Sequence, residues 1–153
     1  MTALQRRLLA ALSVMVGASG LAYLWMKYFM EASDPFAVVN HPWQPYMLYV
    51  HILSAPALVL MFGIIWSAHV TAKIDGGQPY NRRSGLVSVW TFVVMVASGY
   101  LLQVLTSERL HFATMVAHVA SGTLFLIMYA AHIALSLRHQ RRQRRAEPIR
   151  PAA

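Results

Sequence analysis

The stretch Tyr46–Ala72, YMLYVHILSAPALVLMFGIIWSAHVTA, contains no Asp, Glu, Lys or Arg and is long enough to cross a bilayer as a single helix. Three further apolar stretches occupy Leu8–Met30, Leu86–Thr106 and Leu110–Leu137. Each reaches the ~20 residues that span about 30 Å of hydrocarbon. Only 12% of the 153 residues are charged, whereas a soluble domain carries about 25%. The pattern predicts an all-α integral membrane four-helix bundle.

The first apolar stretch follows Arg6 and Arg7, as the hydrophobic part of a signal peptide would. Its run of about twenty residues is longer than the roughly 7–15 of a signal peptide, and no clear A-x-A cleavage site follows it. We therefore expect it to be a retained helix. The predicted bundle then covers residues 1–140, and residues 141–153 form a basic cytoplasmic tail.

Basic residues are concentrated on one side of the predicted bundle. Two precede the first helix, three lie in or beside the loop after the second, and six lie at the carboxyl end, which places 11 of the 13 on that side. The positive-inside rule then puts both termini in the cytoplasm, as in a protein of a bacterial inner membrane. The net charge is +8, and the segment Arg138–Arg145, RHQRRQRR, is expected to contact anionic lipid headgroups. It lacks the interleaved aromatic side chains that would stack nucleic-acid bases.

Four histidines lie inside apolar stretches, His51 and His69 in the second and His118 and His132 in the fourth. Ionisable side chains at that depth are costly and usually functional. The first pair is 18 residues apart, which is five helical turns at about 100° per residue. The second pair is 14 residues apart, about 40° short of four turns. This geometry suits two stacked haems, one held by His51 and His118 near the outer surface and one held by His69 and His132 near the inner surface.

The chain has no cysteine, which excludes thiolate metal sites and the C-x-x-C-H attachment of c-type haem. The predicted cofactors are therefore two non-covalent haem b groups. A ligating imidazole needs an acceptor for its other N–H. We expect that acceptor to be the carbonyl four residues back in the same helix, which belongs to Met47, Ile65, Thr114 or Met128.

Other residues are expected to assist haem binding. Gly122, one turn beyond His118, would make room for a porphyrin ring. Arg82, Arg83 and Arg109 are candidate partners of the haem propionates, although topology and loop charge explain the first two equally well. The first helix carries small residues that allow close approach of another helix or of a porphyrin face, at Ala10, Ser13, Gly17 and Gly20.

Three further histidines lie outside this pattern. His41 in the outer loop and His139 near the carboxyl end are expected to be surface residues. His111 lies one heptad before His118, at the start of the fourth helix. We expect it to be interfacial, with a haem ligand, a propionate contact and a quinol-pocket residue as the alternatives.

The histidine placement resembles that of the di-haem membrane cytochromes b, the small helical subunits of nickel–iron hydrogenases, formate dehydrogenases and related enzymes. The resemblance covers about residues 8–137 and rests on His51, His69, His118 and His132 rather than on a long motif. Several such families also place a ligand on the first helix, which has no histidine here. The resemblance implies electron transfer across the membrane between the quinone pool and an outer redox partner, with a quinone or quinol as a further ligand.

Two other functions would account for parts of the pattern. Imidazoles bind transition metals, so one is a histidine-lined metal or proton transporter, although no carboxylate falls inside an apolar stretch. The other is a cofactor-free membrane anchor subunit, which leaves the four histidines unexplained.

The segment Glu31–Pro45, EASDPFAVVNHPWQP, is the longest predicted outer loop. Its prolines restrict the backbone of the residues before them, and Trp43 lies near its end. We expect this segment to be the docking surface for the outer redox partner.

Overall fold

The computed structural model of the chain describes the backbone of residues 2–72 and 82–146, with all of their side chains except those of residues 67–69, 82 and 144–146. Residues 73–81 and 147–153, which include part of the predicted inner loop and tail, lie outside the described residues. The described residues form four long helices and one π-helical segment: α1 (Ala3–Tyr28), α2 (Gln44–Ile65), the π segment (Trp66–Thr71), α3 (Arg82–Leu101) and α4 (Glu108–Ala146). All four helices are long and apolar enough to cross a membrane. The prediction of an all-α chain with four such stretches is confirmed.

All four helices begin before their predicted starts, α1 ends at Tyr28 rather than Met30, and α3 ends at Leu101 rather than Thr106. The largest extensions are at the start of α1 and at the end of α4. Thr2 and Gln5 form a capping box, in which the Gln5 backbone N–H donates to Thr2 Oγ1 at 3.2 Å and the Thr2 backbone N–H donates to Gln5 Oε1 at 2.8 Å. The box starts α1 at Ala3 rather than near Leu8. Helix α4 continues to Ala146 rather than ending at Leu137, because the arginines and glutamines beyond the apolar stretch are good helix formers.

The chain divides into two compact units, Met1–Gly76 and Gly77–Ala153. In the first unit, α1 and α2 pack as an antiparallel hairpin. The Asn40 side-chain amide donates to the Lys27 carbonyl at 2.9 Å, where α1 ends and the approach to α2 begins. Farther along both helices, Gly20 lies against His51. The buried apolar residues of these two helices are Leu9, Val16, Leu58, Met61 and Ile65.

In the second unit, α3 and α4 form another antiparallel hairpin. The rings of Phe92 and Phe125 have centroids 5.3 Å apart and are both buried. Toward the ends of the hairpin, Gly99 lies against His118 and Gly85 lies against His132. At most 22% of the apolar window of any of the four helices is buried, as expected of helices whose outer faces contact lipid.

Candidate histidine sites

His51 lies two turns into α2 and directs its ring at α1. Its Nδ1 is 2.8 Å from the carbonyl oxygen of Val16. Gly20, one turn farther along α1, borders the ring so closely that a Cβ there would lie 2.8 Å from both Nδ1 and Cε1. An alanine at this position would have to displace the imidazole. The small residues of α1 therefore do permit close approach, and at Gly20 the approaching group is a histidine ring.

His118 has an equivalent position in the second hairpin. Its Nδ1 is 2.9 Å from the carbonyl oxygen of Met95 and 3.3 Å from Ser98 Oγ. A Cβ added to Gly99, one turn after Met95, would lie 3.0 Å from Cε1 and 3.3 Å from Nδ1 of the ring. The ring would have to move by a few tenths of an ångström to admit it. Both hairpins therefore hold a histidine in the same way.

The two sites share a sequence signature on the helix that faces the histidine. The residue with the accepting carbonyl is followed, after one intervening residue, by Ala-Ser-Gly, at Ala18–Gly20 and at Ala97–Gly99. Both serines are buried and return a hydroxyl hydrogen bond to the carbonyl four residues back, each at 2.7 Å. These two serines therefore fill little space, and each has its own buried hydroxyl hydrogen-bonded.

The histidine-bearing helices share a second signature. A buried serine follows each histidine by three residues, at Ser54 and Ser121. Its hydroxyl donates to the carbonyl of the residue before the histidine, at 2.6 Å to Val50 and 2.7 Å to Ala117. Sequence reasoning missed these features. The recurring Ala-Ser-Gly was the available signal, but it also occurs at residues 120–122, so the tripeptide alone does not identify a site.

The carbonyl contacts determine the tautomer of both rings. A carbonyl oxygen can only accept a hydrogen bond, so Nδ1 of His51 and of His118 carries the proton. In the neutral ring the lone pair is then on Nε2. Metal-ligating histidines commonly donate one ring N–H to a backbone carbonyl or carboxylate and bind the metal through the other nitrogen. Both rings thus have the tautomer that suits an iron bonded to Nε2.

The predicted acceptors for these N–H groups were different. The sequence predicts acceptors in the same helix, at Met47 for His51 and Thr114 for His118, whereas the observed acceptors belong to Val16 and Met95 on the neighbouring helix. The reason is the close helix approach, since a glycine beside the carbonyl lets the ring edge reach an oxygen of the facing helix.

His132 also directs Nδ1 at the neighbouring helix rather than at Met128. Ser84 Oγ lies 3.3 Å from that nitrogen. A Cβ added to Gly85 would lie 3.7 Å from His132 Cε1, which is an ordinary van der Waals distance. This ring therefore has more room beside its glycine than His51 or His118.

The backbone of His69 lies in the π segment Trp66–Thr71, and its side chain lies outside the described residues. A π-helix bonds residue i to i+5 and so turns less per residue than an α-helix. The estimate of five whole turns between His51 and His69 assumed α geometry throughout. It is therefore wrong for the last residues before His69. The predicted hydrogen bond from this ring to the Ile65 carbonyl involves the side chain of His69, and so it lies outside the described residues.

The remaining histidines occupy three different settings. His111 is exposed in the first turn of α4, and its backbone N–H donates to the Ser107 carbonyl at 2.8 Å. His41 is half-buried, and its Nδ1 accepts from the Trp43 backbone N–H at 3.1 Å. His139 is half-buried near the end of α4.

Among the other predicted site residues, Arg83 and Arg109 are exposed, and the side chain of Arg82 lies outside the described residues. A Cβ added to Gly122 would meet Met95 Sδ at 3.5 Å. This glycine therefore lies at the contact of α3 with α4, and its place beside a haem stays a prediction. Comparison with protein-family models, with curated protein sequences and with solved structures found no match to this chain.

Proposed function

We propose that the chain is a membrane di-haem b-type cytochrome subunit. In this proposal His51 and His118 bind one haem, called the outer haem, and His69 and His132 bind the inner haem. The observation that supports it best is the equivalence of His51 and His118, each with Nδ1 held by a carbonyl of a facing helix. Haem b would supply reversible one-electron oxidation and reduction of its iron.

The state of the two imidazoles suits axial ligation. A neutral ring with the proton on Nδ1 offers its Nε2 lone pair to iron, and the bond to the carbonyl fixes both the orientation of the ring and the position of that proton. Two such rings match the two axial positions of a bis-histidine haem. The same criterion favours His118 over His111, because His118 is half-buried with its Nδ1 held whereas His111 is exposed.

The proposal extends to the surroundings of the haems and to partners. Arg109 on the outer side, and Arg82 and Arg83 on the inner side, are the proposed partners of haem propionates, since guanidinium groups bind carboxylates well. Both termini are proposed to be cytoplasmic, in a bacterial inner membrane. As the resemblance to di-haem cytochromes b implies, the proposed electron partners are the quinone pool and an outer redox protein.

The visible spectrum of the purified full-length protein tests this function. We expect reduced-minus-oxidised difference bands of b-type haem, and two haems per chain in a pyridine haemochrome assay. A protein without haem that binds Zn²⁺ or Co²⁺ would favour the metal-transporter alternative. A protein that binds neither would favour a cofactor-free anchor.

A further inference from the structure

The carbonyl oxygens of Val16 and Met95 are accessible from a facing helix because a glycine follows each by four residues. In an α-helix the carbonyl of residue i points at the N–H of residue i+4. The Cα–Cβ bond of residue i+4 tilts back toward the amino end, so a side chain there would flank that oxygen. A carbonyl has a second lone pair. Gly20 and Gly99 leave room for an imidazole at this oxygen, which also accepts from the Ser19 hydroxyl at 3.1 Å in the first hairpin and from the Ser98 hydroxyl at 3.0 Å in the second.

Helix formation does not account for glycine at these two positions. Glycine is a poorer helix former than alanine, yet both residues lie inside long helices. The Cβ of an alanine would lie 2.8 Å from the edge of the His51 ring at residue 20 and 3.0 Å from the edge of the His118 ring at residue 99. The two glycines therefore serve the contact with the histidine.

We propose that Gly20 and Gly99 are positioning residues that set the affinity and the reduction potential of the outer haem through His51 and His118. The inference rests on the proposed function. A hydrogen bond from Nδ1–H to a carbonyl makes the imidazole a stronger electron donor to iron. Stronger donation favours ferric over ferrous iron, so the bond lowers the reduction potential. Losing the bond raises the potential and weakens haem binding.

Two other helical glycines, Gly85 and Gly63, serve as controls because an added Cβ has more space there. A Cβ at Gly85 would lie 3.7 Å from the His132 ring, and a Cβ at Gly63 would meet no atom of the described residues within 4 Å apart from the adjoining backbone of its own helix. Gly→Ala substitution at any of the four sites makes the same gain in helix propensity. The sites differ in what the added methyl group displaces. The expected order of effects is therefore Gly20 first, then Gly99, with no effect at Gly85 and Gly63.

The experiment compares full-length Gly20→Ala, Gly99→Ala, Gly85→Ala and Gly63→Ala with the wild type. Haem content is measured by pyridine haemochrome, and potentials by redox titration of the difference spectrum. We expect Gly20→Ala to bind the outer haem about 10–100-fold more weakly. Gly99→Ala, where the ring must move less, should keep both haems and shift the potential of one of them upward. The other two variants should match the wild type.

The outcomes separate the two proposals. A wild-type protein without haem overturns the proposed function and this inference with it. A haem-loaded wild type whose four variants have equal haem content and equal potentials overturns the inference alone. If Gly20→Ala does not fold, Gly99→Ala decides the matter. An unchanged or lower potential in that variant contradicts the positioning role, since a purely structural role would not raise the potential of a fully loaded protein.

Discussion

A neutral imidazole inside an apolar helix has one N–H that is costly to leave without an acceptor. His51 and His118 meet this need with backbone carbonyls, which lie 35 and 23 residues away in the sequence. A backbone acceptor remains when the side chain of its residue changes. Substitution of the glycine that admits the ring should therefore disturb each site more than substitution of Val16 or Met95.

The assignment of His118 rather than His111 as a ligand is testable by substitution. His118→Ala is expected to remove the outer haem and leave the inner one, because it deletes an imidazole whose Nδ1 is held by the Met95 carbonyl. His111→Ala is expected to retain both haems, because His111 is exposed at the start of α4. Haem per chain is the measurement. A His111 variant that loses a haem, together with a His118 variant that does not, would show the assignment to be wrong.

The segment between α1 and α2 is held in shape by local hydrogen bonds. Asp34 accepts from the Phe36 backbone N–H through Oδ1 at 2.9 Å and from the Ala37 backbone N–H through its carbonyl at 3.0 Å. Asn40 ties the segment to the Lys27 carbonyl. The turn leaves Phe36 92% and Val38 99% exposed. Exposed apolar side chains on a turn of this kind suit an interaction surface.

The proposed docking role of Glu31–Pro45 is therefore centred on Phe36 and Val38. The double substitution Phe36→Ser with Val38→Ser should slow electron transfer to or from the outer partner by about 10-fold or more, since interface anchors that contribute most to binding cost at least about 2 kcal/mol when truncated. Haem content should not change, because neither side chain packs against a helix.

The matched control is Val104→Ser, which makes the same kind of change at a residue that is 71% exposed in the turn after α3. Transfer rates are measured by stopped-flow with the copurified partner. Equal rates for wild type, double variant and control would rule out a docking role for Phe36 and Val38. Replacing residues 34–39 by a Gly-Ser linker should reproduce the loss of coupling.

For the whole molecule, the distribution of charge decides the proposed topology. The predicted topology puts 11 of the 13 basic residues on one side of the membrane, so reporter fusions should place both termini in the cytoplasm. An alkaline phosphatase fusion at Ala153 should be inactive, and a green fluorescent protein fusion at the same residue should fluoresce. A fusion in the loop between α1 and α2, after Val39, serves as the positive control for phosphatase. An active phosphatase at Ala153 would overturn this topology.

The length of α4 and the arginines near its carboxyl end agree with the proposed topology. Its 39 residues measure about 58 Å along the axis, about twice the thickness of the hydrocarbon layer. Arg138, Arg141 and Arg142 are exposed on its last turns. The helix therefore continues past its apolar part and presents arginine where a cytoplasmic end would meet anionic headgroups.

The number and type of the helices were predictable from sequence. Hydrophobic length and helix propensity are local properties, and a charge-free stretch such as Tyr46–Ala72 has few alternatives in lipid. The helix ends were less accurate because hydropathy does not mark them. Thr2 starts α1 through a capping bond, and the basic end of α4 stays helical although it is polar.

The histidines were predictable as candidates, because an ionisable residue in an apolar stretch is conspicuous in the sequence. How they are held was decided only by tertiary structure. The acceptor for His51 belongs to Val16 and the acceptor for His118 belongs to Met95, each on a facing helix. From the sequence, Gly20 indicates close approach of another helix or of a porphyrin face, and nothing marks Gly20 or Gly99 as the neighbour of a histidine ring. The use of each glycine is set by the register of two helices, which depends on contacts between residues far apart in the chain and which no local pattern encodes.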